Sequence, residues 1–188
     1  MKKNYYKLFA DCYCKGATCL HPNSSIDEKR CHDGDGKSIS YLEGFRFVFP
    51  KDNNDDEFLP ILNSLGIDCN IVSQQFKDIV EPYITDSTSI EFVPVKVYSE
   101  KYGERPYYIM HFLKFENVID YESSKIITYA DGTKTVMVPH LKLNLIKNLH
   151  LFCVNAVGHI IISDILKKAL IRKGLKYGLA FSKSYICE

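Results

Sequence analysis

No stretch of this 188-residue sequence approaches the roughly 18 consecutive apolar residues a membrane-spanning helix needs. The N-terminal residues 1–11 carry Lys2 and Lys3 but no apolar run of the length a secretory signal requires. The expectation is a cytoplasmic protein with no membrane partner. An excess of either charge is also missing: 24 basic against 23 acidic residues leave a formal charge of +1. No global field is therefore available to steer the molecule onto nucleic acid, and no nucleic-acid partner is expected. Thirteen tyrosines and eleven phenylalanines could stack on single-stranded bases, but the lysines and arginines that would follow a backbone are not gathered beside them. No nucleophile-elbow or zinc-protease pattern occurs, so hydrolases defined by those motifs are excluded. The seven cysteines are an odd number in a chain of ordinary size, which favours reduced thiols over a disulfide framework.

What is present is the composition of a folded protein. Hydrophobic residues make up 46% and charged residues 25%, far from the signature of disorder. Residues 1–188 are long enough for one sizeable core and are read as a single domain.

The clearest local signal lies near the C-terminus. His159 and three isoleucines lead to Ser163, a helix cap, and Asp164 follows where negative charge suits the helix dipole. Ile165, Leu166, Ala169 and Leu170 then share a face, Arg172 and Lys173 occupy the last turn, and Gly174 can end the helix. The segment 71–80 repeats this design: Ser73, Phe76, Lys77, Ile79 and Val80 answer to Ser163, Leu166, Lys167, Ala169 and Leu170 at a constant offset of 90 (163 − 73). A duplication and two helices sharing one start signal both account for it. Pro82 ends the earlier helix. A third helix is read over 58–65, where Phe58, Leu59, Ile61, Leu62 and Leu65 share a face, Pro60 falls in the first turn and Gly66 follows.

The remaining runs read as strands. Residues 4–9 open the chain, and Phe45, Phe47 and Phe49 alternate with Arg46 and Val48 in a strand read to extend over 39–49. Residues 90–98 form a strand in which Pro94 marks an edge or a bulge. Residues 107–115 suit a central strand, and 125–129 with 133–138 flank Asp131-Gly132 as a hairpin. Leu149, Leu151 and Cys153 alternate, and 175–181 form a last strand. The fold class is α+β: a mostly antiparallel sheet with about three helices and an irregular Cys/His-rich excursion over 11–37.

That excursion holds one candidate site. Cys12, Cys14, Cys19, His21, Cys31 and His32 offer the thiolates and imidazoles that zinc prefers, and one ion can fold a loop that lacks a core. Their spacing is tighter than the two to four residues usual between paired zinc ligands, so reduced thiols and a single disulfide stand beside structural zinc, and no other cofactor is expected. Within the excursion, Gly36-Lys37-Ser38 lacks the earlier glycine, preceding strand and following helix of a phosphate-binding loop. A calcium loop fails too, because Cys31 and Leu42 would have to be ligands. His150 and His111, on strands, read as solvent-side or hydrogen-bonded residues, and Lys167, Lys168, Arg172, Lys173 and Lys176 as a solvated helix face. The acidic run Asp52, Asp55, Asp56 and Glu57 is a second candidate, a docking surface for a basic partner as against a solvated loop.

Three stretches carry a family likeness: Phe92-Val93-Pro94-Val95, Tyr107 to Met110 followed by Val118-Ile119-Asp120, and Ile161 to Leu170 leading to Gly174, Tyr177, Gly178 and Phe181. In these the chain resembles the eleventh immunity family of bacterial polymorphic toxin systems. The absence of tryptophan and the Cys/His excursion depart from that pattern. The resemblance implies a cytoplasmic, non-enzymatic protein that binds a cognate toxin encoded by a neighbouring gene and blocks it. A zinc-binding adaptor or regulator, and a small enzyme with a dispersed active site, are the other classes the sequence admits.

Overall fold

A computed structural model describes residues 4–11, 13, 14, 19–23, 33–50, 57–64, 67, 70–86, 89–154, 159–183, 186 and 187. Among them the strands are β1 (Tyr5–Ala10), β2 (Cys19–Pro22), β3 (Arg46–Val48), β4 (Ile61–Ser64), β5 (Asn70–Ser73), β6 (Ile90–Ser99), β7 (Gly103–Phe112), β8 (Ile119–Thr128), β9 (Lys134–Leu141), β10 (Leu151–Val154), β11 (His159–Ser163), β12 (Leu179–Ser182) and β13 (Ile186–Cys187). The helices are α1 (Gln74–Val80), α2 (Leu143–Ile146) and α3 (Asp164–Arg172). The class is α+β, with mostly antiparallel pairing. No helix among the described residues is long and apolar enough to cross a membrane.

Two four-stranded arrays follow one plan. The first runs β4-β5-β7-β6 and the second β10-β11-β1-β12, every neighbouring pair antiparallel. Their registers coincide: Ile61 faces Val72 as Leu151 faces Ile162, Ser73 faces Tyr107 as Ser163 faces Tyr5, and Met110 faces Phe92 as Leu8 faces Phe181. The similarity of 71–80 to 161–170 is therefore the visible part of a larger structural equivalence. It extends to Lys77, whose ammonium lies over the rings of Tyr108 and Phe92, and Lys167, which lies over their counterparts Tyr6 and Phe181.

Each array buries both faces. Ile61, Val72 and Met110 of the first meet Leu151, Ile162 and Leu8 of the second in one shared core, which Phe76 and Val80 of α1 and Leu166 and Leu170 of α3 complete. On its far side the first array closes into a six-stranded barrel: β3 joins β6 and β2 joins β4, both in parallel, and β2 pairs with β3. Leu20, Phe47, Leu62, Ile71, Val95 and Ile109 fill its interior. The far side of the second array, Tyr5, Phe152 and Ile161, is covered by Val118, Leu141 and Ile146 from the β8–β9 hairpin and α2.

Several sequence expectations are corrected. Of the helix read over 58–65, the described residues 58–64 form none: Ile61 and Leu62 pair with Val72 and Ile71, and Pro60 offers its carbonyl to Ser73 N–H at 3.0 Å. Ile61 points into the shared core and Leu62 into the barrel. A strand buried on both faces gives the same unbroken apolar run as a buried helix, so periodicity could not separate them. Pro94 marks no bulge, since it lies in unbroken register with Tyr108, and β6 is an edge only locally there, because β3 joins its other side from Lys96 onward. Its carbonyl accepts from Gly44 N–H, so its nitrogen faces the side where β3 has not yet begun and no ladder bond is lost. The strand read over 39–49 shrinks to β3, preceded by a 3-10 turn at Ser40–Leu42. The last strand begins at Leu179 instead of 175, because Gly174 and Gly178 take positive φ and turn the chain first. A Cβ on Gly178 would also come within 2.8 Å of Pro60 Cδ.

Both helices start as read. Ser73 Oγ accepts from Phe76 N–H and Ser163 Oγ from Leu166 N–H, each at 3.2 Å. Ser163 is buried and also lies 2.8 Å from His150 Nδ1, whereas the position equivalent to His150 is Pro60. Ser163→Ala is therefore expected to cost about 2 kcal/mol and Ser73→Ala about 1 kcal/mol in equilibrium urea unfolding. Equal losses would show that the His150 contact adds nothing.

Candidate functional site

Gln75 at the start of α1 donates from Nε2 to the carbonyl of Lys173 at the end of α3. Tyr83, just past α1, stacks edge-on against His150, which holds the Ser163 cap of α3. The two helices thus run antiparallel, and a groove of about 550 Å³ lies between them, lined by Gln75, Asp78, Ile79, Pro82, Tyr83, Ala169, Arg172 and Lys173. Helices of seven and nine residues give it a length of about 10–13 Å. Ile165, 53% exposed, extends the Ala169–Arg172 stripe by one turn.

The groove lies between equivalent residues of the two arrays, but its walls differ in chemistry. At the constant offset of 90, Asp78 corresponds to the oppositely charged Lys168, and the uncharged Pro82 and Tyr83 correspond to the cationic Arg172 and Lys173. Even the i,i+4 contact on each helix is preserved with reversed polarity: Gln74 Nε2 donates to Asp78 at 2.5 Å, and Lys168 pairs with Asp164 at 2.6 Å. An apolar floor of Ile79, Tyr83 and Ala169 between a cationic and an anionic wall can hold an apolar side chain and orient the charges beside it. Arg172 and Lys173, read from sequence as part of a solvated face, line this groove. Sequence reasoning did not single out Gln75, Asp78, Ile79, Pro82 or Tyr83 as a site. The signal that could have found them was the offset of 90 itself, which sets Asp78 against Lys168 and, beyond residue 80, the uncharged Pro82 and Tyr83 against Arg172 and Lys173.

The predicted site residues are placed only in part. Cys12, Cys31, His32, Asp52, Asp55 and Asp56, and most of the excursion over 11–37, lie outside the described residues, as does the side chain of Cys19. His21 is exposed on β2, paired with Val48. Cys14 and Glu57, one from each predicted segment, meet at Tyr177: its hydroxyl donates to Glu57 Oε2 at 3.0 Å and also engages the Cys14 sulfur. Asp11 N–H, bonded to the Gly178 carbonyl at 3.1 Å, ties the same corner to the C-terminal stretch. Burial, ahead of the Asp11 and Glu57 carboxylates, holds the Cys14 thiol above its usual range. Among the described residues, no three His, Cys, Asp or Glu side chains are placed to hold one metal ion.

Asp33, in the glycine-rich stretch, accepts from Phe112 N–H at 2.7 Å and finishes the end of β7, and Lys37 pairs with Asp35. His111, read as solvent-side or hydrogen-bonded, is fully buried, with Glu91 Oε1 3.9 Å from its Nδ1. Burial lowers its pKa, against the opposing pull of Glu91 and Asp35. His150 is hydrogen-bonded, as read. His159 Nε2 lies 2.8 Å from Lys7 Nζ across the β1–β11 pair. Burial, and after it the Lys7 ammonium, push His159 from 6.5 down to about 4. The ring is neutral in the folded protein and accepts from Lys7. The unfolded chain takes up a proton near 6.5 and the folded one only near 4, so this pair's stabilisation is complete above 6.5 and is lost as pH falls toward 4. An NMR titration should place the His159 midpoint near 4, and a midpoint above 6 would contradict the Lys7 contact.

Comparison with curated proteins returned no match. Residues 11–185 match the Immunity protein family (Imm11), a span that takes in both helices, the groove and all but the first strand of the two arrays. With nearly its whole length matched, the chain belongs to the Immunity protein family (Imm11).

Proposed function

We propose that this is a bacterial immunity protein of a polymorphic toxin system, which binds its cognate toxin in the cytoplasm and neutralises it without catalysis of its own. The observation that carries the reading is the family match over residues 11–185. An immunity protein works by occupying a surface of its target, so it needs rigid elements that present a shaped, charged face. The pair of capped helices on a two-sheet core supplies such a face, and the acidic segment Asp52, Asp55, Asp56 and Glu57 supplies a second contact for a basic part of the toxin.

Co-expression tests the reading. Cells producing the C-terminal toxin domain encoded by the neighbouring gene should stop growing, and this protein should restore growth while forming a complex that survives purification. Failure to restore growth, with both proteins present and folded, overturns it.

A further inference from the structure

We propose that the groove between α1 and α3 receives an acidic segment of the toxin, whose carboxylates lie to one side of an apolar side chain. This rests on the immunity reading and names the surface and the chemistry it recognises.

The two arrays provide an internal control. Where a position serves the fold, the equivalent residues agree in kind: Ser73 with Ser163, Phe76 with Leu166, Lys77 with Lys167, Val80 with Leu170, Tyr108 with Tyr6 and Phe92 with Phe181. Along the groove the match is only partial: Ile79 and Ala169 are both apolar, whereas the uncharged Pro82 and Tyr83 correspond to the cationic Arg172 and Lys173, and Asp78 to Lys168. Packing does not impose that opposition, because Asp78 and Lys168 each keep the same helical contact with a different sign. Arg172 and Lys173 correspond to the uncharged Pro82 and Tyr83, so their charge is not something the shared plan requires.

That chemistry selects the occupant. Arg172 and Lys173 lie side by side at the end of α3, with Lys176 close in sequence, while the opposite wall contributes Asp78. The chain as a whole carries only +1, so this concentration is local. Carboxylates are drawn to the α3 wall and turned away from Asp78, which fixes the direction in which a segment lies. Ile79, Tyr83 and Ala169 form the floor for its apolar side chain, in a volume of about 550 Å³. A uniformly basic or uniformly apolar segment leaves one wall repelled or desolvated without a partner.

The test measures affinity of the full chain for the purified C-terminal toxin domain from the neighbouring gene, carrying an inactivating substitution, at low and physiological salt. Wild-type binding should weaken as salt rises. Arg172→Glu with Lys173→Glu should weaken it at least about tenfold and remove most of the salt dependence, while Ile79→Gln should weaken it with the salt dependence kept. Lys125→Glu with Lys134→Glu, the same change in net charge on the exposed β8–β9 hairpin, should bind as wild type. Unchanged urea unfolding of the double variant shows that the loss is not one of folding. If the wild type binds and both groove changes leave its affinity intact, the groove assignment falls and the immunity reading stands. If the wild type does not bind at all, both fall.

Discussion

The shared core between the two arrays is the constraint on which the rest of the structure depends. Ile61, Val72 and Met110 come from one sheet and Leu151, Ile162 and Leu8 from the other, and none can leave water without its counterpart. At about 25 cal/mol per Å² of apolar surface, each side chain buried there contributes roughly 1.5–3 kcal/mol against the entropy of ordering the chain. Burying one face of each sheet still leaves the other apolar. The barrel closure by β2 and β3 and the cover provided by β8, β9 and α2 are two different solutions to that one requirement. The differences between the arrays lie outside the shared core, and the likeness lies within it.

The sequence shows most clearly the features whose causes are local. Ser73 and Ser163 were recognisable because a cap needs only the three residues that follow it, and the Asp131-Gly132 hairpin because a tight turn declares itself. The parallel pairings of β2 with β4 and β3 with β6 left no trace, since nothing near Leu20 or Phe47 encodes a partner so far away in the chain. Leu59, Ile61 and Leu62 misled because full burial erases the period that distinguishes strand from helix. Pro94 was legible only in part, because its nitrogen faces the side on which β3 begins just beyond it, so β6 is an edge at Pro94 and paired on both sides from Lys96. The groove was half legible: Arg172 and Lys173 stood out as charge, but only the antiparallel docking of α1 on α3 shows that they face Ile79 and Tyr83.

Equal numbers of opposite charges need not mean an even distribution. On α3 and the turn after it Asp164 stands against Lys167, Lys168, Arg172, Lys173 and Lys176, while α1 and its extension carry Lys77 against Asp78 and Glu81. Lys167 and Lys77 are occupied over aromatic rings, and Lys77 and Lys168 in ion pairs along their helices. What is left for the outside is the residue of these internal contacts, and it is unlike on the two sides of the groove. A binding protein gains direction from such a polarised face, because an acidic segment presented the wrong way round meets Asp78 instead of Arg172 and Lys173.

The two arrays share a spatial plan but differ in how the chain threads through it. In the first, the strand beside β5 is β7, reached by the hairpin from β6. In the second, the equivalent place beside β11 is taken by β1, from the start of the chain, with β12 on its other side. An antiparallel neighbour has only to present the right residues in the right register, and Tyr5-Tyr6 meets that condition as Tyr107-Tyr108 does. The consequence falls on assembly. Residues 61–112 bring together all four strands of the first array, whereas the second stays incomplete until residues near 180 meet residues near 5. Closing so long a loop costs entropy before any contact returns it, so loop closure weighs more heavily on the second array than on the first. The groove, which needs α3 packed against α1, is complete only when that last closure has taken place.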